Sequence, residues 1–129
     1  MNFTEPKQIG KDINKDYQQL EYGKGYDHNW VLNKKNADSL TLAAEVFEPV
    51  TGRKMQVFTT EPGLQFYSGK FLNGSDVGKN DVAYEYRSAF CLEAQHFPDS
   101  PNHENFPSTV LNPGEEYQTT TIYQFTTEK

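Results

Sequence analysis

The chain lacks the residues needed for a disulfide-linked or membrane-spanning structure. Cys91 is its one cysteine in 129 residues, which excludes an internal disulfide framework and a zinc site built from cysteines. No apolar run approaches the roughly 18 residues of a membrane-spanning helix. The first six residues have neither a basic start nor an apolar run, so they do not form a signal peptide. We therefore expect a soluble protein that stays where it is made, in the cytoplasm.

Positive charge is also scarce. Twelve lysines and arginines stand against 18 aspartates and glutamates, which gives a net charge of −6 and a pI near 5.0. No basic run interrupts this balance. An acidic chain of this kind is a poor ligand for nucleic acid or an anionic membrane, so we expect neither as a partner.

Aliphatic side chains are few, and aromatic side chains replace them. Leucine, isoleucine, valine and phenylalanine together make up 27 of the 129 residues, close to the level at which chains are disordered. Eight tyrosines, nine phenylalanines and one tryptophan offset this scarcity, because each can bury a large area. The length predicts one domain over residues 1–129 with an aromatic core.

Hydrophobicity alternates with a period of two after Trp30, which is typical of strands. One face of the first strand is expected to carry Leu40, Leu42, Ala44 and Val46, and the other face Thr41, Ala43, Glu45 and Phe47. Residues 49–52 form a Pro/Gly turn, and alternation resumes over residues 54–60. Two alternating runs joined by such a turn predict a β-hairpin.

Further strands are expected over residues 64–67, 90–95 and 117–125, with polar loops at 69–81 and 97–114. Four prolines in the second loop exclude regular helix or central strand there. Before residue 28 the chain is polar and irregular, apart from a short helical turn between Ile9 and Ile13. Strands at this spacing indicate an all-β sandwich or barrel.

A first candidate site is the polar and aromatic run at residues 25–30, where a loop enters a strand. Binding groups are often held at such junctions by a rigid scaffold. Asp27 and Asn29 are alternatively turn residues that satisfy local backbone groups, and His28 is alternatively structural.

A second candidate site lies at residues 90–97. Glu93 stands within a mostly apolar strand, so it either faces solvent or lies in a cleft, where burial would raise its pKa toward that of a general base. Cys91 is interpreted as a small buried hydrophobe, since nothing near it in sequence would activate the thiol.

Other residues carry weaker signals. A metal site could be imagined from His96, His103, Asp99 and Glu104, but their spacing matches no dedicated site, so we expect no metal and no cofactor. The aromatic rings of Trp30, Phe66 and Tyr67 either stack on sugars or fill the core. A glycoside hydrolase would need a second carboxylate opposite Glu93, and Asp27 is the candidate for it.

Four segments, in order, resemble signature segments of the aldose 1-epimerase (galactose mutarotase) family. They are GYDHN (25–29), EPGLQFY (61–67), CLEAQ (91–95) and FPSTVLNPGEEY (106–117). The resemblance runs from Phe3 to Phe125 and implies part of a large, distorted β-sandwich with a sugar-binding cleft.

The resemblance also implies a reaction. Family members interconvert the α and β anomers of free aldoses such as galactose and glucose, with a glutamate as base and a histidine as acid. Glu93 matches the general base, and Asp27 matches a carboxylate that binds substrate hydroxyls. Lys70 departs from the family pattern, in which an asparagine follows the glycine.

The resemblance covers only the C-terminal portion of longer family members. It therefore implies a piece truncated at its N-terminal side. The family's active-site histidines belong to the portion without a counterpart here, and His28, His96 and His103 match none of them. The alternative function is therefore a catalytically incomplete carbohydrate-binding fragment. Cutting a sandwich would leave strand edges unpaired, so association through exposed edges is expected.

Overall fold

A computed structural model describes residues 1–128 of the chain. Strands dominate it, as predicted. The elements are the α-helix α1 (Gln18–Gly23) and the strands β1 (Asp27–Val31), β2 (Thr41–Glu48), β3 (Arg53–Thr59), β4 (Gly63–Tyr67), β5 (Cys91–Gln95) and β6 (Thr121–Thr127). Single 3-10 turns lie at Ile9–Lys11, Lys79–Asp81 and Ser100–Asn102. The all-β fold class is confirmed.

The strands form two three-stranded sheets, with the orders β1-β4-β5 and β2-β3-β6. In the second sheet both neighbours of β3 run antiparallel to it. In the first sheet β1 and β4 are antiparallel, as backbone bonds from Ser68 to Tyr26 and from Leu32 to Pro62 indicate. The edge strands of the second sheet are thus β2 and β6, and association through such edges stays a prediction.

The chain divides into two compact units, each of two segments. The first unit comprises residues 1–28 and 66–91, and the second comprises residues 29–65 with the described residues from 92 onward. Compact units within a chain are not the same as independently folding domains. The single domain over residues 1–129 therefore stays a prediction.

Aromatic rings form much of the core of the first unit, together with the buried side chains of Ile13 and Leu20. Tyr26 is fully buried and stacks on Phe66 with ring centroids 5.3 Å apart. Phe3 meets both rings edge-on, and Phe90 meets Phe66 in the same way. Phe66 therefore fills the core, which decides between the two roles that its sequence left open.

The β2–β3 hairpin of the second unit is closed by the side chain of Glu48. Its carboxylate accepts hydrogen bonds of 2.8 Å from the backbone N–H groups of Val50 and Thr51. Gly52 has a φ of +72°, and a Cβ there would lie 1.9 Å from the Glu128 carbonyl oxygen. Glycine is therefore required where the turn meets the end of β6.

A β-bulge in β2 overturns the predicted facing of its residues. Leu42 pairs with Phe58, but Ala44 pairs with the next residue, Val57, so Ala43 is the extra residue. Leu42 consequently does not share a face with Ala44, and it is exposed whereas Ala44 is half-buried. The prediction that Leu40, Leu42, Ala44 and Val46 line one face is wrong, because simple alternation assumes a regular strand.

Val57, in the middle of the central strand β3, is fully buried. Val57→Ala removes two methyl groups and leaves a cavity, so we expect the free energy of unfolding to fall by about 2 kcal/mol. The matched control is Val50→Ala in the turn, where the valine is 88% exposed. The control should shift stability by less than about 0.5 kcal/mol. Urea unfolding followed by circular dichroism measures both, and equal losses would show that Val57 is not a core residue.

Candidate active site

Glu93 lies in the middle of β5, and its side chain is exposed. Leu92 and Ala94, its neighbours, are half-buried, which is the alternation of a strand with one solvated face. Within residues 1–128, the side chain of Glu93 makes no hydrogen bond or ion pair. Of the two settings that the sequence left open, Glu93 occupies the solvent-facing one, where its carboxylate is accessible to a ligand.

The β5 backbone around Glu93 is held by neighbours of the second unit. The Tyr123 hydroxyl donates to the Leu92 carbonyl at 2.6 Å. At the end of the strand, the Gln95 amide donates to Asn29 Oδ1 at 3.3 Å. An exposed carboxylate thus stands on a strand whose ends are tied.

Asp27 begins β1 in the first unit, as the predicted loop-to-strand junction requires. Its Oδ2 lies 2.9 Å from Lys70 Nζ, and the two side chains are 28% and 9% exposed. The Lys70 ammonium also lies 4.6 Å from the Phe71 ring centroid. Asp27 is therefore a partly accessible carboxylate with a largely buried cation beside it. The interpretation of Asp27 and Asn29 as turn residues is wrong, since both lie within a strand.

The residues before and after Asp27 are fixed by specific hydrogen bonds. Ser68 Oγ accepts from the Tyr26 N–H at 3.0 Å and donates to the Tyr26 carbonyl at 2.9 Å. His28 Nδ1 accepts from the Asp27 N–H, so its Nε2–H donates to the Gln19 carbonyl at 3.0 Å. His28 thus links β1 to α1, which favours its structural interpretation.

A buried carboxylate that the sequence did not single out lies in the second unit. Glu61 is only 4% exposed, and its Oε2 lies 2.7 Å from His96 Nδ1. Its other oxygen accepts a hydrogen bond from the Tyr117 hydroxyl. The Thr119 side chain also donates a hydrogen bond to the Glu61 carboxylate. We call these four residues the Glu61 cluster.

Electrostatics within the Glu61 cluster favour the ionised carboxylate. Burial by itself would raise the pKa of Glu61, but hydrogen bonds from Thr119, Tyr117 and His96, with the charge on His96, outweigh it. The pKa of Glu61 is therefore lower than its ordinary value. The hydrogen bond to Glu61, together with burial, raises the pKa of Tyr117.

The backbone of Glu61 is tied as firmly as its side chain. Its carbonyl accepts a hydrogen bond from Lys34 Nζ at 3.1 Å, and Lys34 also reaches the Thr59 carbonyl at 3.0 Å. The N–H of Glu61 donates to Thr59 Oγ1 at 3.1 Å. Only the position of Glu61 before Pro62-Gly63 was visible in the sequence, and that pattern is also typical of an ordinary turn.

The metal-site candidates do not converge. His96 pairs with Glu61, and His103 Nε2 lies 3.2 Å from Asp99 in a loop. Over residues 1–128, no group of three or more histidine, cysteine, aspartate or glutamate side chains is arranged to hold a metal ion. Cys91 is exposed, which corrects its interpretation as a buried hydrophobe, because it begins β5 on the same alternating face as Glu93.

Comparison with known proteins identifies the family. The family model described as aldose 1-epimerase matches residues 1–124. The chain belongs to the aldose 1-epimerase family. It is 41% identical over 124 residues to a galactose mutarotase of Homo sapiens, and 39% identical over 129 residues to an aldose 1-epimerase of Escherichia coli K12.

The solved structure of a relative agrees with this assignment. A crystal structure of a GalM/aldose epimerase homologue from C. elegans matches 81% of the chain with a TM-score of 0.71 and 26% sequence identity, over 30% of its own length. The human and bacterial matches cover 96% and 98% of this chain but 34% and 36% of those proteins. The chain thus spans about a third of the length of its curated epimerase relatives.

The part of it that the structure describes contains no helix long and apolar enough to cross a membrane.

Because the pKa of Glu61 is lowered, the free energy of unfolding should depend on pH in the acid range. A folded-state pKa below the ordinary value of 4.5 means that the ionised carboxylate stabilises the fold above that value. This stability is lost as the pH falls through the folded pKa. We expect Glu61→Gln to be less stable than the parent chain at pH 7, by about 2 kcal/mol, and to lose less further stability on acidification.

Urea unfolding at a series of values between about pH 7 and pH 3 measures this difference. Glu104→Gln, at an exposed loop position, is the matched control and should follow the parent chain. If Glu61→Gln and the parent chain lose the same stability on acidification, the ionised Glu61 does not stabilise the fold.

Proposed function

We propose that this chain contributes the general base and a sugar-binding carboxylate to an aldose 1-epimerase reaction on free aldoses such as galactose and glucose. Membership of the family supports the reaction class. By resemblance, Glu93 matches the family's general base. The observation that carries the proposal is its accessible position on β5, a strand that is tied on both sides, although it faces solvent and does not lie in the cleft that the sequence offered as the setting of a base. A general base must come within hydrogen-bond reach of the proton that it removes, and an exposed carboxylate is accessible for that contact.

The proposed chemistry needs one proton removed and one supplied. Glu93 takes the proton from the anomeric hydroxyl O1 of the sugar. The O1 electron pair forms the carbonyl as the bond between C1 and O5 breaks, and O5 takes up a proton from a general acid or from solvent water. Rotation about the bond between C1 and C2 and re-closure on the other face give the other anomer, and the protons return in reverse.

Asp27 is proposed to bind sugar hydroxyls through its accessible edge. Its side chain is 28% exposed beside Lys70, so a sugar hydroxyl can reach the carboxylate and donate to it. Charge-assisted hydrogen bonds of this kind are stronger than neutral ones. The backbone bonds on both sides of Asp27 support a fixed recognition group.

A second candidate function is sugar binding without catalysis. The observation that favours it is that each of the three histidines has another partner. In the family, a histidine is the acid that protonates O5. His28 bonds to the helix, His96 to Glu61 and His103 to Asp99. On this second proposal Asp27 retains its role and Glu93 has no rate effect.

The two candidates differ in their effect on fresh α-D-galactose. We expect the chain to accelerate the change in optical rotation, and Glu93→Gln to reduce that acceleration by about 10²- to 10⁴-fold, because an amide cannot accept the proton. Glu104→Gln, another exposed glutamate, is the matched control and should retain the parent rate. Polarimetry with α-D-glucose run in parallel compares the two sugars.

Two results would count against the catalytic proposal. A folded chain that binds galactose without changing the rate of anomerisation supports the second candidate instead. An acceleration that Glu93→Gln retains would show that Glu93 is not the base.

A further inference from the structure

We propose that His96, held by Glu61, is a positioning residue that fixes the end of β5 on which Glu93 stands. This inference rests on the role proposed for Glu93 and assigns a task to the Glu61 cluster, which that chemistry does not use. His96 is the first residue after β5, three positions from Glu93. All of the residues involved belong to the second unit.

The pairing of His96 with Glu61 restrains the backbone at the end of β5, because Glu61 is itself held by other hydrogen bonds. Glu61 Oε2 lies 2.7 Å from His96 Nδ1, and the other oxygen is bound by Tyr117. The Glu61 backbone is bound by Lys34 and Thr59. The hydrogen bond from His96 to this carboxylate therefore restrains the His96 backbone, one residue beyond the end of β5.

The geometry separates this contact from the other restraints on β5. Tyr123 holds the Leu92 carbonyl, on the N-terminal side of Glu93. On the C-terminal side, the Gln95 side chain reaches Asn29 at 3.3 Å, a longer and neutral hydrogen bond. The contact between His96 and Glu61 is shorter and involves a carboxylate, so it is the stronger of the two C-terminal restraints.

Position matters for the proposed base more than for an ordinary surface glutamate. A proton-transfer group displaced by about 1 Å can lose about 100-fold in rate. Because the Glu93 side chain makes no hydrogen bond or ion pair within residues 1–128, no such bond would correct a displaced backbone. The position of the carboxylate therefore depends on how firmly β5 is held.

Two substitutions separate positioning from general stabilisation. His96→Phe keeps a ring but removes the nitrogen that faces Glu61, whereas His96→Asn places an amide nitrogen near the position of Nδ1. His103→Phe makes the same change at an exposed loop histidine, 47% exposed at its side chain, and is the matched control.

The measurement is hydrogen exchange by mass spectrometry on the 129-residue chain, with residues 92–97 compared with residues 53–59 of β3. We expect His96→Phe to speed exchange at 92–97 by about 10-fold more than at 53–59, because the opening is local. His96→Asn should remain close to the parent chain, and His103→Phe should leave residues 92–95 unchanged. Equal acceleration in both segments, or a His96→Asn variant that behaves like His96→Phe, would overturn the proposal.

If His96→Phe does not fold, Glu61→Gln tests the same contact, because it keeps the side-chain shape and removes the charge. Because this variant is also expected to lose stability overall, exchange should accelerate in both segments. The proposal expects the acceleration relative to the parent chain to be larger at 92–97 than at 53–59, and equal acceleration in the two segments contradicts it. In the galactose assay, His96→Phe should lower kcat and leave KM unchanged, with recovery in His96→Asn. If the parent chain accelerates no anomerisation, the proposed function is wrong, and the exchange comparison alone still decides whether His96 holds β5.

Discussion

The constraint on which the second unit depends is the burial of one ionised carboxylate, that of Glu61. A charge withdrawn from water must be compensated by hydrogen bonds and opposite charge, or folding becomes unfavourable. Compensation here comes from a histidine just after β5 and from hydroxyls just before β6, while Lys34 binds the Glu61 carbonyl. The hydrogen bonds that compensate the buried charge of Glu61 therefore fix the positions of several chain segments, including the end of β5.

The first unit meets a different constraint with different means. It has few aliphatic side chains to bury, and stacked and edge-on rings around Tyr26 take their place. Tyr26 immediately precedes Asp27, so the core residue and the proposed recognition residue are neighbours in sequence. A rigid aromatic core next to a partly exposed carboxylate is a suitable arrangement for recognising polar hydroxyl groups.

Much of the fold could be predicted from local patterns. The hairpin of β2 and β3, its turn at residues 49–52 and the proline-rich loop all follow from alternation and turn chemistry. The bulge at Ala43 could not be predicted, because alternation fixes two faces without saying where the register shifts. Cys91 was misassigned because its apolar sequence neighbours do not determine which face of β5 it occupies.

The candidate site was only partly visible in the sequence. Asp27 and Glu93 were found as isolated polar residues at strand positions, and resemblance supplied their proposed roles. Their partners depend on distant pairing, since Glu61 and His96 are 35 residues apart in sequence. Lys70 was noticed as a departure from the family pattern, but its contact with Asp27 follows only from the fold.

The central claim is that residues of this chain recognise a free aldose, with Glu93 directed at the anomeric hydroxyl. The most direct measurement is a ¹H–¹⁵N NMR titration of the labelled chain with D-galactose and, separately, with methyl β-D-galactopyranoside, which has no anomeric hydroxyl proton. We expect galactose to shift the resonances of both Asp27 and Glu93, and the methyl glycoside to shift those of Asp27 while leaving Glu93 nearly unchanged. Shifts confined to other residues, or a Glu93 response that is the same for both sugars, would contradict the account.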